Sequence, residues 1–318
     1  MLVIALTPIF AIIFIGFCLS RIPLFGQPIW ENIEKLTYYI FFPALLVLRL
    51  SESRFDWSEL GDIALIVGSA LFVVSVLIIA FHKFIASDLA SLSSVYQGTI
   101  RFNTYIGLAL LEALYGNRGI TVAVLVIAVF IPLVNILSVA SLGLQGGKGA
   151  RRIFVVIGAV VTNPLVIACL IGLVISYTGF DIPDLAQDSI DILSQPALPL
   201  GLLVVGAGIR FGAISEQSWQ LCLAVVNKQL VFPGIVLAAC LLFEIDGLLG
   251  ISIVLLSCLP SPPSAYILAR QLNGNVSLMA NIITVQTLTA FLMIPISVSY
   301  THLRAHETRH DLVCRLLL

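Results

Sequence analysis

The chemically most distinctive part of the chain is residues 97–107, which read QGTIRFNTYIG. They place Arg101, Asn103 and Thr104 inside a stretch that is otherwise long and apolar enough to cross a membrane. A charged side chain at membrane depth is costly unless it faces protein or a water-filled cavity. The Arg101 guanidinium can hold a carboxylate through two hydrogen bonds, or can extend to the membrane interface. Asn103 can donate its amide to a carboxylate, can cap a helix, or can do both.

A second polar interruption lies at residues 258–266, which read CLPSPPSAY. Proline has no backbone N–H to donate, and its ring clashes with the preceding helical turn. The three prolines in this stretch, Pro260, Pro262 and Pro263, therefore predict a broken helix.

The two interruptions align with each other. The segments that follow them, LEALYGN at 111–117 and ARQLNGN at 269–275, match in sequence, and the match pairs Asn103 with Ser261. Half-helices that begin near Asn103 and Pro263 would direct positive dipole ends at the same place, which favours an anion. We therefore expect one anion site between the interruptions, with these binding residues: Asn103, Arg101, Thr104, Pro260, Ser261, Ser264 and Tyr266.

Further polar residues at membrane depth form a second group of candidates: Asn135, Asn163, Gln286, Thr287, Glu112 and Lys228. Amides and hydroxyls in such positions more often join helices than contact a ligand. Glu112 is the available acid for carrying a proton, or is simply solvated. Lys228 has no partner in the sequence, and interfacial snorkelling or a structural ion pair are the alternatives to a functional role.

Composition indicates an all-α integral membrane protein. Of 318 residues, 59% are hydrophobic and 10% are charged, whereas soluble domains average about 45–50% and about 25%. The first apolar segment has no basic n-region and no small-residue cleavage site followed by a soluble domain, so we expect a retained first span rather than a signal peptide. We expect no nucleic-acid partner. The sequence contains no phosphate-binding glycine loop and no zinc motif, which argues against an enzyme and against a cofactor or bound metal. Coupling to H⁺ or Na⁺ stays open.

Hydropathy predicts ten spans, near residues 2–20, 36–50, 63–81, 89–114, 120–142, 153–177, 190–210, 221–243, 248–272 and 278–297. The second is short unless it begins in the amphipathic segment 30–35. The halves repeat: Thr7-Pro8 with Gly16 returns as Asn163-Pro164 with Gly172, and PAL at 43–45 returns at 196–198. Five spans per half make the second copy inverted, an arrangement typical of secondary transporters.

The predicted organisation is a first five-helix repeat at 1–142, a cytosolic hinge at 143–152 and a second, inverted repeat at 153–297. Residues 298–318 resemble a translated sequencing adapter, and we interpret them as a non-native tail. Basic residues concentrate in the loops after odd-numbered spans, which predicts that these loops are cytosolic and that both termini lie outside. The expected location is the cytoplasmic (inner) membrane of a bacterium, with the chain in direct contact with the lipid bilayer. A homodimer is one alternative for the oligomeric state.

Several motifs together resemble one family: RFNTYIG at 101–107, Asn163-Pro164, PALPLG at 196–201, and Pro260 followed by AYILA at 265–269. Residues 1–297 look like the auxin efflux carrier family, in its bacterial branch of malonate or malate permeases. The resemblance implies ten helices in two inverted repeats, with crossing, broken fourth and ninth helices and an asparagine that binds a carboxylate. Asn103 matches that asparagine. This chain has Phe102 where plant members have a proline, which leaves the sharpness of the fourth-span break open.

The function that the sequence predicts is secondary active transport of small mono- or dicarboxylates by alternating access. A sodium or proton antiporter of similar fold is one alternative, and a membrane sensor without transport is another.

Overall fold

The computed structural model describes residues 2–53, 57–142, 158, 161–210, 217–271 and 273–295. Within these ranges every regular element is helical. The predicted hinge at 143–152 and the interpreted tail at 298–318 lie outside the described residues.

The first half of the chain contains α1 (Leu2–Leu19), α2 (Gln27–Leu36), α3 (Phe42–Glu52), α4 (Trp57–Ala80), α5 (His82–Ile85), α6 (Leu89–Ile100) and α7 (Thr104–Leu142). A π-helical turn, Thr37–Phe41, joins α2 to α3, so the helix continues from Gln27. The amphipathic segment 30–35 and the apolar residues of the predicted second span therefore lie on one continuous helical stretch. Gly116 interrupts α7 with the non-helical angles φ 60° and ψ −145°, which glycine adopts without a steric penalty.

The second half contains α8 (Pro164–Thr178), α9 (Asp184–Ser194), α10 (Ala197–Ala207), α11 (Ser218–Val226), α12 (Phe232–Leu242), α13 (Gly247–Cys258), α14 (Ser264–Gln271) and α15 (Val276–Pro295). Asn163 has extended angles and caps α8 by accepting hydrogen bonds from the backbone of Leu165 and Val166. The sixth predicted span ran through this position without a break. Its interruption follows from the Asn-Pro pair, because the residue before a proline is driven out of the helical region.

Five helical stretches in the described residues are long and apolar enough to cross a membrane: Trp57–Ala80, Leu89–Ser141, Asp184–Ala207, Ser218–Leu242 and Val276–Pro295. Shorter apolar helices accompany them at Leu6–Leu19, Pro164–Thr178 and Gly247–Cys258. This confirms the prediction of an all-helical, multi-pass integral membrane protein. The 53 residues of the second stretch exceed twice the length that one crossing needs, about 20 residues.

Two π-helical turns precede matching Phe-Pro pairs. Thr37–Phe41 comes before Phe42-Pro43, and Asn227–Val231 comes before Phe232-Pro233. The proline ring crowds the carbonyl four residues earlier and removes one backbone donor. A single wider turn, in which the phenylalanine N–H bonds five residues back, accommodates both effects.

Glycines set the closest helix contacts. A Cβ at Gly16 on α1 would overlap the Leu203 carbonyl oxygen on α10. A Cβ at Gly172 on α8 would lie 2.6 Å from the Leu50 Cβ on α3. The pairs α1–α10 and α3–α8 therefore approach at backbone distance, as small residues allow in membrane helices.

Candidate functional site

The first predicted break is present although Phe102 stands where the resemblance implies a proline. Helix α6 ends at Ile100, and Arg101 is extended with φ −77° and ψ 149°. The Asn103 Oδ1 accepts hydrogen bonds from the Tyr105 N–H at 3.1 Å and the Ile106 N–H at 3.2 Å. Asn103 is therefore the N-cap of α7, and this cap rather than a proline defines where the second half-helix begins.

The second predicted break separates α13 from α14. Leu259 is extended with φ −68° and ψ 149°, and α14 begins at Ser264. The intervening prolines cannot donate the hydrogen bonds that a continuous helix would need.

The two breaks are in direct contact. The Asn103 N–H donates to the Pro260 carbonyl oxygen at 2.8 Å. The Ser261 hydroxyl donates to the Gly98 carbonyl oxygen at 3.0 Å. Each interrupted segment thus satisfies polar groups that the other one exposes, which is the condition for non-helical backbone at membrane depth.

Gln286 on α15 joins both broken helices to α11. Its Nε2 donates to the carbonyl oxygens of Gly98 at 2.9 Å and Ala224 at 3.1 Å. Its Oε1 accepts from the Ser261 N–H at 2.9 Å. Gln286 is fully buried, so its side chain stabilises the crossing from the protein interior and does not face a cavity.

Two donors at the crossing have no partner in the described residues. The Asn103 side chain is fully buried, and its Nδ2 makes no hydrogen bond. The Arg101 side chain is 8% exposed; its Nη2 lies 3.4 Å from the Ser264 hydroxyl, and its Nη1 is unpaired. Leaving a buried donor without a partner costs about 1–3 kcal/mol, and more when the donor is charged. An acceptor, and an anionic one above all, would remove that cost.

A small inner cavity of about 40 Å³ adjoins the crossing. Its lining residues are Glu34, Tyr38, Arg101, Phe102, Thr104, Tyr105, Ile131, Val134, Asn135, Leu165, Pro262, Pro263 and Ser264. A water molecule needs about 10–15 Å³ of such space, so a few water molecules would fill this cavity. The inner cavity is therefore too small for a carboxylate of several heavy atoms unless the crossing opens.

An outer cavity of about 270 Å³ adjoins the inner one, because Glu34 and Pro263 line both. Its charged lining residues are Glu31, Glu34, Lys35, Arg210 and Arg270. Arg210 contacts two other lining residues of the outer cavity. Its Nη2 donates to the Gln27 Oε1 at 2.6 Å, and its guanidinium carbon lies 5.1 Å from the Tyr266 ring centroid. The cavity is large enough for a small organic anion, and Pro263 of the second break forms part of its wall.

The predicted site residues fall into three groups. Arg101, Thr104, Asn135 and Ser264 line the inner cavity, and Tyr266 lines the outer one. The crossing itself contains Asn103, Pro260 and Ser261. Asn163 interacts electrostatically with Tyr38, which lines the inner cavity, but Asn163 itself lines neither cavity.

The remaining candidates lie away from both cavities. Thr287 donates to the Ile283 carbonyl oxygen within its own helix. Glu112 is half-buried on α7 and lines neither cavity. Lys228 is completely buried in the second π turn, and its Nζ has no hydrogen-bond partner in the described part of the chain. The structure therefore shows neither the interfacial snorkelling nor the ion pair that were the alternatives for Lys228.

Sequence reasoning did not identify Glu34 and Tyr38, which line the inner cavity, or the bridging role of Arg210. Glu34 and Tyr38 are four residues apart and so lie on one face of a helix. That spacing was available in the sequence, but an acidic residue on an amphipathic helix is ordinarily interpreted as solvated.

Comparisons with known proteins agree with the resemblance in the motifs. Residues 149–298 match the family model of the membrane transport proteins. A protein of Rhizobium meliloti (strain 1021), named "Putative malonate transporter", is 21% identical over 270 residues, which cover 83% of this chain and 84% of that protein. Both comparisons therefore find membrane transport proteins, and they support the resemblance to the auxin efflux carrier family that the motifs indicate.

Proposed function

We propose that the chain is a secondary active transporter of small carboxylates and that their carboxyl group binds at the crossing of the two broken helices. The observation that carries this proposal is the Asn103 amide, a fully buried donor that has no partner in the described residues and lies between two interrupted helices. A ligand oxygen is the group that it lacks.

The charge distribution at the crossing supports an anion as the ligand. Arg101 presents an unpaired guanidinium nitrogen to the inner cavity, and Ser264 begins a half-helix at its wall. The N-termini of α7 and α14 both meet there, so two helix dipoles contribute positive potential. The relative named for malonate supports a small dicarboxylate as the first substrate to test.

We also propose that the chain is built from ten membrane helices in two inverted five-helix repeats. Gly16 and Gly172 are equivalent in the sequence repeat, and each packs against a helix of the other half. Their contact partners are equivalent too, because Leu203 lies seven residues after Pro196 and Leu50 lies seven residues after Pro43. Equivalent contacts in both halves are what a two-fold relation between the repeats would produce.

Alternating access follows as the proposed mechanism. Gly208 and Arg210 line the outer cavity, and basic residues predict that the loop after them is cytosolic in a bacterial inner membrane. Substrate would enter the outer cavity, displace water at the crossing and pair with Asn103 and Arg101. Rigid-body motion of one helix group against the other would then expose the crossing to the opposite side.

Counterflow in proteoliposomes tests the function. The purified protein is reconstituted with internal unlabelled malonate, and the uptake of external labelled malonate is followed, with acetate and citrate as further internal substrates. We expect transient accumulation of label for at least one small carboxylate. Binding without counterflow would instead indicate a sensor, and sodium or proton flux that no carboxylate affects would indicate an antiporter.

A further inference from the structure

Arg210 lies where the chain passes from one set of packed helices to another. Helix α10 packs on α1 as far as Gly206, where a Cβ would overlap the Ile13 carbonyl oxygen. Four residues later the Arg210 N–H donates to the Thr284 hydroxyl at 3.0 Å, and this hydroxyl donates to the Arg210 carbonyl oxygen at 3.1 Å. The Arg210 backbone is therefore fixed to α15, the helix that also carries Gln286.

The Arg210 side chain contacts two further helices. Its Nη2 donates to the Oε1 of Gln27, the first residue of α2, at 2.6 Å. Its Nη1 lies 3.5 Å from the hydroxyl of Tyr266 on α14, and its guanidinium carbon lies 5.1 Å from the centroid of that ring. Gln27, Arg210 and Tyr266 all line the outer cavity. The bond to Gln27 therefore joins α2 to α14 and α15 at this cavity.

Gln27 and the Arg210 backbone belong to two different groups of helices. The glycine-packed group contains α1, α2, α3, α8 and α10. Backbone contacts at Gly16 and Gly172 join α1 to α10 and α3 to α8, while α2 continues into α3 and packs on α10 through Trp30. The crossing group contains α6, α7, α11, α13, α14 and α15, which the hydrogen bonds at the crossing and those from α15 hold together. The bond between Arg210 and Gln27 connects the two groups.

The partners of the Arg210 side chain are an amide and a phenol, which are both neutral. Glu31 and Glu34 line the same cavity, but in the part of the chain that the structure describes the ion pair between side chains joins Arg49 to Glu52. The bond from Arg210 to the α2 amide is exposed to solvent. Such a bond contributes little net stability, because water competes for both groups. It can therefore open and close at a small cost in free energy.

We propose that the bond between Arg210 and Gln27 is a gate of the transport cycle, an inference that rests on the alternating-access carrier proposed above. The bond is closed in the conformation that has the outer cavity beside the crossing. When the crossing turns to the opposite side, Gln27 moves with the glycine-packed group and Arg210 with the crossing group, so the bond must open. Its strength then sets how readily the carrier leaves this conformation.

The test strengthens the gate with Gln27→Glu, which turns the bond to Arg210 into an ion pair. An exposed ion pair stabilises this conformation modestly, so malonate counterflow should be slowed about two- to fivefold. Gln271→Glu is the matched control. It adds the same charge to the same cavity, at a glutamine that makes no hydrogen bond to Arg210 in the described residues, and should leave the counterflow rate close to that of the wild type.

Thiol labelling of Ala280→Cys, at a residue that lines the outer cavity, gives a readout without substrate. In detergent, and with the native cysteines replaced, this position should react at least about twofold faster beside Gln27→Glu than beside Gln27→Leu, which removes the acceptor. Gln271→Glu and Gln271→Leu should not differ. Equal labelling of the two Gln27 variants, or equal counterflow by Gln27→Glu and Gln271→Glu, would overturn the gate. A labelling difference in a protein without counterflow for any carboxylate would support the gate and overturn the carrier function.

Discussion

At the scale of single residues, the side-chain oxygen and nitrogen of Asn103 have different roles. Its Oδ1 caps α7 through two backbone N–H groups, and its Nδ2 stays unpaired in a fully buried position. The cap alone would be served equally well by aspartate or serine. The unused donor is what an asparagine adds, and it is the group that we assign to the substrate.

Among the described residues Lys228 is the other buried cation, and its environment differs from that of Arg101. It lines neither cavity, and the nearest favourable contact is the Phe232 ring, whose centroid lies 5.2 Å from Nζ. A cation–π contact contributes about 2 kcal/mol when desolvated, whereas burying an unpaired charge costs several kcal/mol. We therefore assign Lys228 no part in substrate binding.

Replacing Lys228 with methionine should stabilise the protein. Methionine keeps most of the side-chain volume and removes the buried amine, so we expect the midpoint of thermal unfolding in detergent to rise by a few degrees. Lys83→Met, at an exposed lysine, is the control and should leave the midpoint nearly unchanged. A lowered midpoint for Lys228→Met alone would show that the amine has a stabilising partner and would contradict this assignment.

Residues of the site differ in how far the sequence could reveal them. Asn103 and Arg101 were predictable as site residues because a polar side chain inside an apolar run carries a free-energy cost that a functional role can explain. Glu34 was not, because α2 is amphipathic and carries Glu31, Glu34 and Lys35 within one and a half turns. Only the packing of α2 against the crossing determines which of the two acids faces the inner cavity.

At the scale of helices, the crossing depends on side chains that replace lost backbone hydrogen bonds. The proline cluster predicted the break between α13 and α14, whereas the break at Phe102 occurs without a proline because Asn103 and the Pro260 carbonyl satisfy its backbone. The two π turns follow from Phe-Pro pairs, but hydropathy does not distinguish a wider turn from a simple kink. The interruption at Asn163 was visible as an Asn-Pro pair inside an otherwise continuous apolar run.

Gln286→Leu should destabilise the crossing strongly. The change removes three hydrogen bonds and leaves the Gly98 and Ala224 carbonyls and the Ser261 N–H without this partner. At about 1 kcal/mol or more for each buried group, we expect a loss of roughly 3 kcal/mol or more and a clearly lower unfolding midpoint.

Thr287→Val is the matched control for this change. It alters the next residue of the same helix and removes one bond, to the Ile283 carbonyl, while keeping the side-chain shape. Its unfolding midpoint should stay close to that of the wild type. Equal midpoints for Gln286→Leu and Thr287→Val would refute the joining role of Gln286.

At the scale of the whole molecule, the backbone contacts at Gly16 and Gly172 link one half of the chain to the other. Helix α1 packs on α10, and α3 packs on α8, each through a glycine that leaves no room for a Cβ. The sequence repeat suggested that these glycines are equivalent. It could not show that they meet helices of the opposite half, because pairing between distant helices depends on the complete packing arrangement.

Gly16→Ala and Gly172→Ala should each separate a helix pair and lower stability. The added methyl group meets the Leu203 backbone in the first case and the Leu50 side chain in the second, and overpacking of this kind costs about 1–3 kcal/mol. Gly68→Ala on α4 has open space around the new Cβ and should be neutral or slightly stabilising. Thermal unfolding of the three variants would contradict the account if Gly68→Ala were as destabilising as the other two.

The central claim is that the free Asn103 donor binds the substrate carboxylate, and Asn103→Asp tests it most directly. Aspartate keeps the capping oxygen but replaces the donor with a negative charge, so the fold should persist while binding is lost. Asn275→Asp makes the same change at another capping asparagine, whose Oδ1 accepts from the Leu278 N–H. In malonate counterflow we predict that Asn103→Asp falls at least about tenfold while folded protein is still recovered from the membrane, and that Asn275→Asp retains activity. Wild-type counterflow by Asn103→Asp would contradict the placement of the substrate at the crossing.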